Sequence, residues 1–267
     1  MNFWNFMVLD AGFRHFPALR QISLPLALAM GASSLGGFMI EAPAWSSSVL
    51  RQLLISRQCI ACDLSGEVLG GADLAGANLT RANLSGATLQ DARMSRATLE
   101  QTNLERADLT QANLNGADLT GANLSNVSAH LADFNRANLS QVLAPSSTLT
   151  QIKARESNWY RSDLQNARLD GALLVQASLT DANLQQASLR DADMMGSEMI
   201  GANLSGADLT GANLAFALIR DADFTNANFT NADLQNANMA RSLMDGAKFC
   251  NTLMPDGTMN NADCESP

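Results

Sequence analysis

From Leu64 to Cys264 one five-residue phrase recurs without a change of phase, and that spacing excludes both regular backbone conformations. Residues 71–90, GADLAGANLTRANLSGATLQ, carry it four times: a small residue, a polar one, leucine, then two polar or glycine positions. An α-helix turns about 100° per residue, so a five-residue step moves each leucine about 140° around the axis and scatters the set. A straight strand alternates faces, so the same step sends successive leucines to opposite sides of a sheet. What remains is a chain that changes direction once per pentad. A short extended stretch carries Ala72 and Leu74 to one side, and Ala75 with Gly76 turns the corner. Four such corners close a coil of about twenty residues, and coils stack at about 4.8 Å through backbone hydrogen bonds.

Followed from Leu64 to Cys264 the phase holds for 41 pentads, with Leu at the large position in 24 and Met, Phe, Ile or Trp in 13 more. The position two before is Ala in 28 of them, a uniformity that argues for one solenoid rather than two domains. Its length would be about ten coils, or roughly 45–50 Å by the strand spacing. Residues 126–165 lose several leucines but keep phase, and the departures compensate: Val127, Val142 and Ile152 are followed two residues later by Ala129, Ala144 and Ala154. Summed volume governs a close-packed core, so this stretch reads as repacked coil. Trp159 fits that scheme poorly and Pro145 falls at a corner, which leaves a local bulge or loop near 145–160 as the alternative.

The tandem A(D/N)LxX phrase resembles the pentapeptide repeat family. That resemblance implies an all-β fold, a right-handed, four-sided (quadrilateral) β-helix solenoid, and a chain that binds rather than catalyses. RQCIACDLSG (residues 57–66) and FCNTLMPDGTMNNADC (residues 249–264) resemble the two ends of exported cyanobacterial members of the family, many destined for the periplasm or thylakoid lumen. The resemblance covers residues 46–267.

The first 60 residues lie outside the repeat. Arg14 and Arg20 precede ISLPLALAMGASSLGGFMI (residues 22–40), and Ala42-Pro43-Ala44 follows as a small-x-small cleavage signature. Residues 1–44 read as a secretory signal peptide cut after Ala44; an uncleaved membrane anchor is the alternative, disfavoured by Pro25 and the Gly and Ser run. Residues 45–61 hold a short amphipathic α-helix, with Val49, Leu50, Leu53 and Leu54 on one face, and the start of a Cys-x-x-Cys that ends at Cys62. Such a helix would cap the open first coil, whose unpaired edge otherwise invites end-to-end association; a partner-binding helix is the other reading. Residues 62–267 form the solenoid, including an irregular last coil.

All four cysteines sit at the ends of the repeat. Cys59 and Cys62 lie at its entrance, Cys250 and Cys264 in the last coil, too far apart to share one metal. Export and an even count favour two local disulfides, Cys59 to Cys62 and Cys250 to Cys264. A redox-active Cys59/Cys62 pair is a third functional reading, opposed by the inward position of Cys62.

The sequence offers little chemistry. His15 falls in the signal, which leaves His130, at an outward corner, and there is no Ser-His-Asp set, phosphate-binding Gly loop or metal-spaced His cluster. No enzyme activity and no cofactor is expected. The formal net charge of −9, with one Tyr and three Trp, opposes nucleic-acid binding. An acidic rod also suits DNA mimicry of the kind some family members use against gyrase; export contradicts it, and the carboxyl end reads as polar and clipped rather than apolar.

Residues twenty apart should stack on one side. Val175, Met195 and Ala215 then form an outward apolar column with Leu173 and Phe216 alongside, and Arg93, Arg96, Arg136, Lys153 and Arg155 precede them on the same side. Repeat drift explains single exposed apolar residues; a docking face for a protein partner or a second copy is the functional alternative. The expectation is thus an exported, non-enzymatic scaffold or binding rod, its partner unnamed, with no stable membrane insertion after signal cleavage.

Overall fold

The computed structural model describes residues 48–264, so the signal segment and its cleavage site lie outside the described residues. From Gln58 onward each pentad contributes one residue to a ladder of single parallel bridges, and every bridge joins residues twenty apart. Four ladders run together, opening with Gln58↔Asn78, Asp63↔Asn83, Val68↔Thr88 and Asp73↔Arg93; these define the first to fourth sides. The bonding repeats from pentad to pentad. Leu74 N–H donates to Arg93 O (2.7 Å), Gly76 N–H to Ser95 O (2.9 Å), and Arg93 N–H to Ala72 O (2.9 Å).

At each corner the chain reverses through a β-turn, as where Ala77 N–H donates to Leu74 O at 3.0 Å. The second corner residue takes positive φ: +63° at Gly76, +58° at Arg81, +53° at Gln101. That conformation favours glycine because a Cβ crowds the backbone there. The Asp or Asn before each large residue also has work at the corner. Asp73 Oδ1 accepts from Ala75 N–H (3.2 Å) and Asn123 Oδ1 from Ser125 N–H (3.0 Å), so the side chain holds the turn it precedes.

The core is a continuous column of Leu and Ala closed to solvent from Leu64 to Leu234. Residues 145–160 stay in register, with Lys153 bridging Asp133 below and Leu173 above, so no loop or bulge interrupts the coil. Val142 with Ala144 and Ile152 with Ala154 are all fully buried. Trp159 fits after all. Its Nε1 donates to Ser157 Oγ (2.8 Å), the small residue two positions earlier, and its ring meets Phe134 edge-on at 6.3 Å between centroids.

The ends are finished differently. Helix α1, Ser48–Ser56, buries Leu50 and Leu53 against the core. Arg57 follows it and donates from Nη1 to Asp73 O (3.1 Å) and Ala75 O (2.8 Å), carbonyls whose equivalents one coil later, Arg93 O and Ser95 O, accept from backbone N–H groups. One guanidinium thus replaces part of the missing coil. At the carboxyl end the pentad phase outlasts the solenoid. After Leu253 the chain turns at Gly257 (φ +83°) and pairs β1 (Thr252–Leu253) with β2 (Met259–Asn260) antiparallel, leaving Met259 exposed. Asp263 Oδ2 and Asn261 Oδ1 accept from Phe249 and Asn251 N–H, both at 2.9 Å. The N–H groups of Met239, Arg241, Met244 and Gly246 have no hydrogen-bond partner among the described residues. Met239, Met244, Phe249 and Met254, inward by phase, are only partly buried, which corrects the expectation of a polar terminus.

Candidate functional site

Among the described residues no three or more His, Cys, Asp and Glu side chains cluster as metal ligands would. His130 lies on the third side, where its Nδ1 is hydrogen-bonded to Thr150 Oγ1 at 2.8 Å. The cysteines meet in the two local pairs that their spacing suggests. Cys59 and Cys62 have Cα atoms 5.4 Å apart and Cys250 and Cys264 4.7 Å apart, both within the span of a disulfide. The first pair brackets a left-handed corner residue, Ala61 (φ +52°), and the second ties the carboxyl segment back to the final coil.

The fourth side carries the apolar column. Gln176 N–H donates to Met195 O (3.0 Å) and Gly196 N–H to Ala215 O (2.9 Å), which sets Val175, Met195 and Ala215 on consecutive coils. Leu173 bridges Lys153 and Asp193 on the same side. Met195 is 41% exposed and Phe216, at the next corner, 62%. Leu173 and Val175 are half-buried. Ala215 departs from expectation: at 7% exposure it is closed off, a single methyl between the longer side chains of Met195 and Gln235. It is floor rather than surface.

One apolar neighbour was not anticipated. Leu218, half-buried, begins the first side just beyond Phe216 and bridges Glu198 and Asn238, so the apolar strip wraps a corner. Phe216 itself sits in the left-handed region (φ +61°). The same corner is glycine at Gly76, Gly116 and Gly196, and that vertical spacing of glycines was the available signal.

The preceding coils of this side bear the cations. Arg136 is an ion pair with Glu156 (3.1 Å), whereas the Lys153 and Arg155 side chains form no ion pair among the described residues. Arg155 stands one coil before Val175, since Glu156 N–H donates to Val175 O at 3.0 Å. Two carboxylates elsewhere are held below the usual range by arginine donors stacked against them, one from the coil after and one from the amino-terminal end. Arg241 does this to Asp221 and Arg57 to Asp73, in each case through a direct hydrogen bond.

Comparison with known proteins follows from this geometry. Pentapeptide repeats match the chain in eight copies, over residues 62–101, 102–141, 147–181, 177–215, 207–246 and 217–254. No curated protein matches it. Among solved structures, HetL is similar, a pentapeptide repeat protein involved in heterocyst differentiation regulation from the cyanobacterium Nostoc sp. strain PCC 7120. It is 27% identical, with a TM-score of 0.54, over 79% of this chain and 98% of HetL. A thylakoid-lumen pentapeptide repeat protein of Arabidopsis thaliana is 29% identical over 33% of this chain and 66% of its own, with a TM-score of 0.23. QnrB1, a plasmid-mediated fluoroquinolone resistance protein, is 18% identical over 72% of this chain and 90% of its own, with a TM-score of 0.35.

Proposed function

The chain belongs to the pentapeptide repeat family, and from that premise we propose that it is an exported, non-enzymatic scaffold that binds protein along one side of its solenoid, in the periplasm or thylakoid lumen. Right-handed quadrilateral β-helices of this family are structural and interaction folds, and the four ladders of twenty-residue register are what such a fold requires. The observation that carries the reading is the apolar strip of Leu173, Val175, Met195 and Phe216 on a chain of formal net charge −9. Ala215 belongs to it as a buried floor. Backbone groups on the flat sides are already paired between coils, so a partner is held by side chains alone. A regulatory duty of the kind HetL has is one form such binding takes.

Export rests on residues 1–44 and is supported by the two cysteine pairs, each placed to form a local disulfide in an oxidising compartment. No helix among the described residues is long and apolar enough to cross a membrane. The test is the intact mass of the protein from fractionated native cells, with and without reduction and thiol alkylation. A chain starting at Trp45, outside the cytoplasm and about 4 Da below its reduced mass, is the expected result for two disulfides. A full-length, reduced protein in the cytosol would refute export and return the acidic rod to the gyrase reading.

A further inference from the structure

Phe216 is costly to the fold in two separate ways. Its backbone is left-handed, which a Cβ disfavours, and its ring lies largely in water. It also takes no part in the aromatic contacts of the core, which join Phe134 to Trp159 and Phe229 to Phe224 and Phe249. Folding therefore gives no reason for a phenyl ring at this corner, where Asn236 one coil on shows that a short polar residue serves.

The ring is also placed among complementary features. Met195 stands beside it on the fourth side and Leu218 on the first, with Val175 one coil before Met195. One further coil back stand Lys153 and Arg155, in register beneath Leu173 and Val175 and without ion-pair partners among the described residues. At about 4.8 Å per coil, cations and aromatic ring lie roughly 15 Å apart along the solenoid axis. Resting on the binding-rod reading above, we infer that this corner receives a protein segment with an apolar end seated against Phe216, Met195 and Leu218, and carboxylates that reach Lys153 and Arg155.

The charges around the strip select this occupant. Asp193 and Glu198 flank the apolar end, so an anionic lipid surface would be repelled where the apolar contact has to form. A second copy of this acidic chain meets the same repulsion on most of its surface. A segment that is acidic only at its far end matches both halves.

The experiment places the photo-cross-linker p-benzoylphenylalanine at position 216 of the full chain in its native host, and separately at Ser125 on the second side as a control. The expected product is an adduct at 216 to a protein peptide with apolar residues next to the cross-link and Asp or Glu further along it. Its yield should fall at least tenfold in a Lys153→Glu, Arg155→Glu background that keeps its melting temperature. A lipid adduct, a cross-link to another copy of this chain, a basic peptide, or a yield indifferent to the charge reversal each overturns the inference. Protein adducts at 125 without any at 216 would leave the binding rod standing and remove this face from it. Failure of both positions to trap protein would count against the rod reading itself.

Discussion

Exchange of Val142 and Ala144 for the common Ala-x-Leu arrangement tests whether the core is specified by summed volume or position by position. Both side chains are fully buried two residues apart in one pentad, with the large and small places inverted. Val142→Ala removes two buried methyl groups, about 1.6 kcal/mol of transfer free energy at about 0.8 kcal/mol per carbon. The cavity left behind raises the loss to about 2–3 kcal/mol. Ala144→Leu forces three carbons into filled space and costs about 1–3 kcal/mol by overpacking. If the two positions share one volume, each change relieves the other. The double variant should then lie within about 1 kcal/mol of the wild type, giving a coupling of about 3 kcal/mol, at the upper end for neighbouring residues. A suitable assay is hydrogen exchange of the Ala144 amide, which donates to Asp163 O at 2.7 Å in the next coil, alongside urea unfolding. Losses that simply add in the double variant would show that the inverted pentad is held by something other than shared volume.

Leu119→Arg should unfold the surrounding coils, because it buries an unpaired charge at a fully closed position, whereas Asp118→Arg should lose about 1 kcal/mol with its bond from Thr120 N–H; circular dichroism melts separate the two. Cys264→Ser should cost about 3 kcal/mol in the chain-entropy model and speed exchange at the Phe249 and Asn251 amides while leaving residues 70–230 protected. Phe216→Gly should raise the unfolding free energy by about 1 kcal/mol through relief of the left-handed backbone; a loss of stability in the melt would give the ring a structural role. Asp73 and Asp221 have folded pKa values below their unfolded ones, held there by hydrogen bonds from Arg57 and Arg241. Their contribution is therefore complete above the ordinary carboxylate value near 3.8 and is lost as pH falls through the folded values. Melting temperature should hold between about pH 5 and 8 and drop below about pH 4, with Arg57→Met removing part of that acid sensitivity.

The inward pair and the twenty-residue register were legible in the sequence because a core position recurs at a fixed distance and nothing else can satisfy it. The left-handed corner was not, since Arg81, Gln101 and Phe216 occupy it alongside Gly76 and dilute the glycine signal. Met259 and Cys264 misled for the opposite reason. They keep the phase after the coil has ended, and only Gly257 and the pairing of β1 with β2 reveal the reversal. Arg57 gives no sequence sign that it stands in for a missing coil, because its role depends on two carbonyls sixteen and eighteen residues away. In the apolar strip, the stacking of Val175, Met195 and Ala215 followed from counting, but the burial of Ala215 followed from the length of its neighbours. Leu218 gave no such sign, because stacking relates residues of one side and Leu218 joins the strip across the corner at Phe216.

The twenty-residue register gives the chain an arithmetic of its own. A deletion of the twenty residues 156–175 would remove one storey and leave every later side chain above the same wall. A deletion of five would be just as acceptable to the core, yet it would turn everything downstream by a quarter revolution. Phe216 would then no longer stand at the edge of the side that carries Lys153. For this molecule an insertion or deletion is read in its remainder after division by twenty: multiples of five preserve the column, and only multiples of twenty preserve what the column displays.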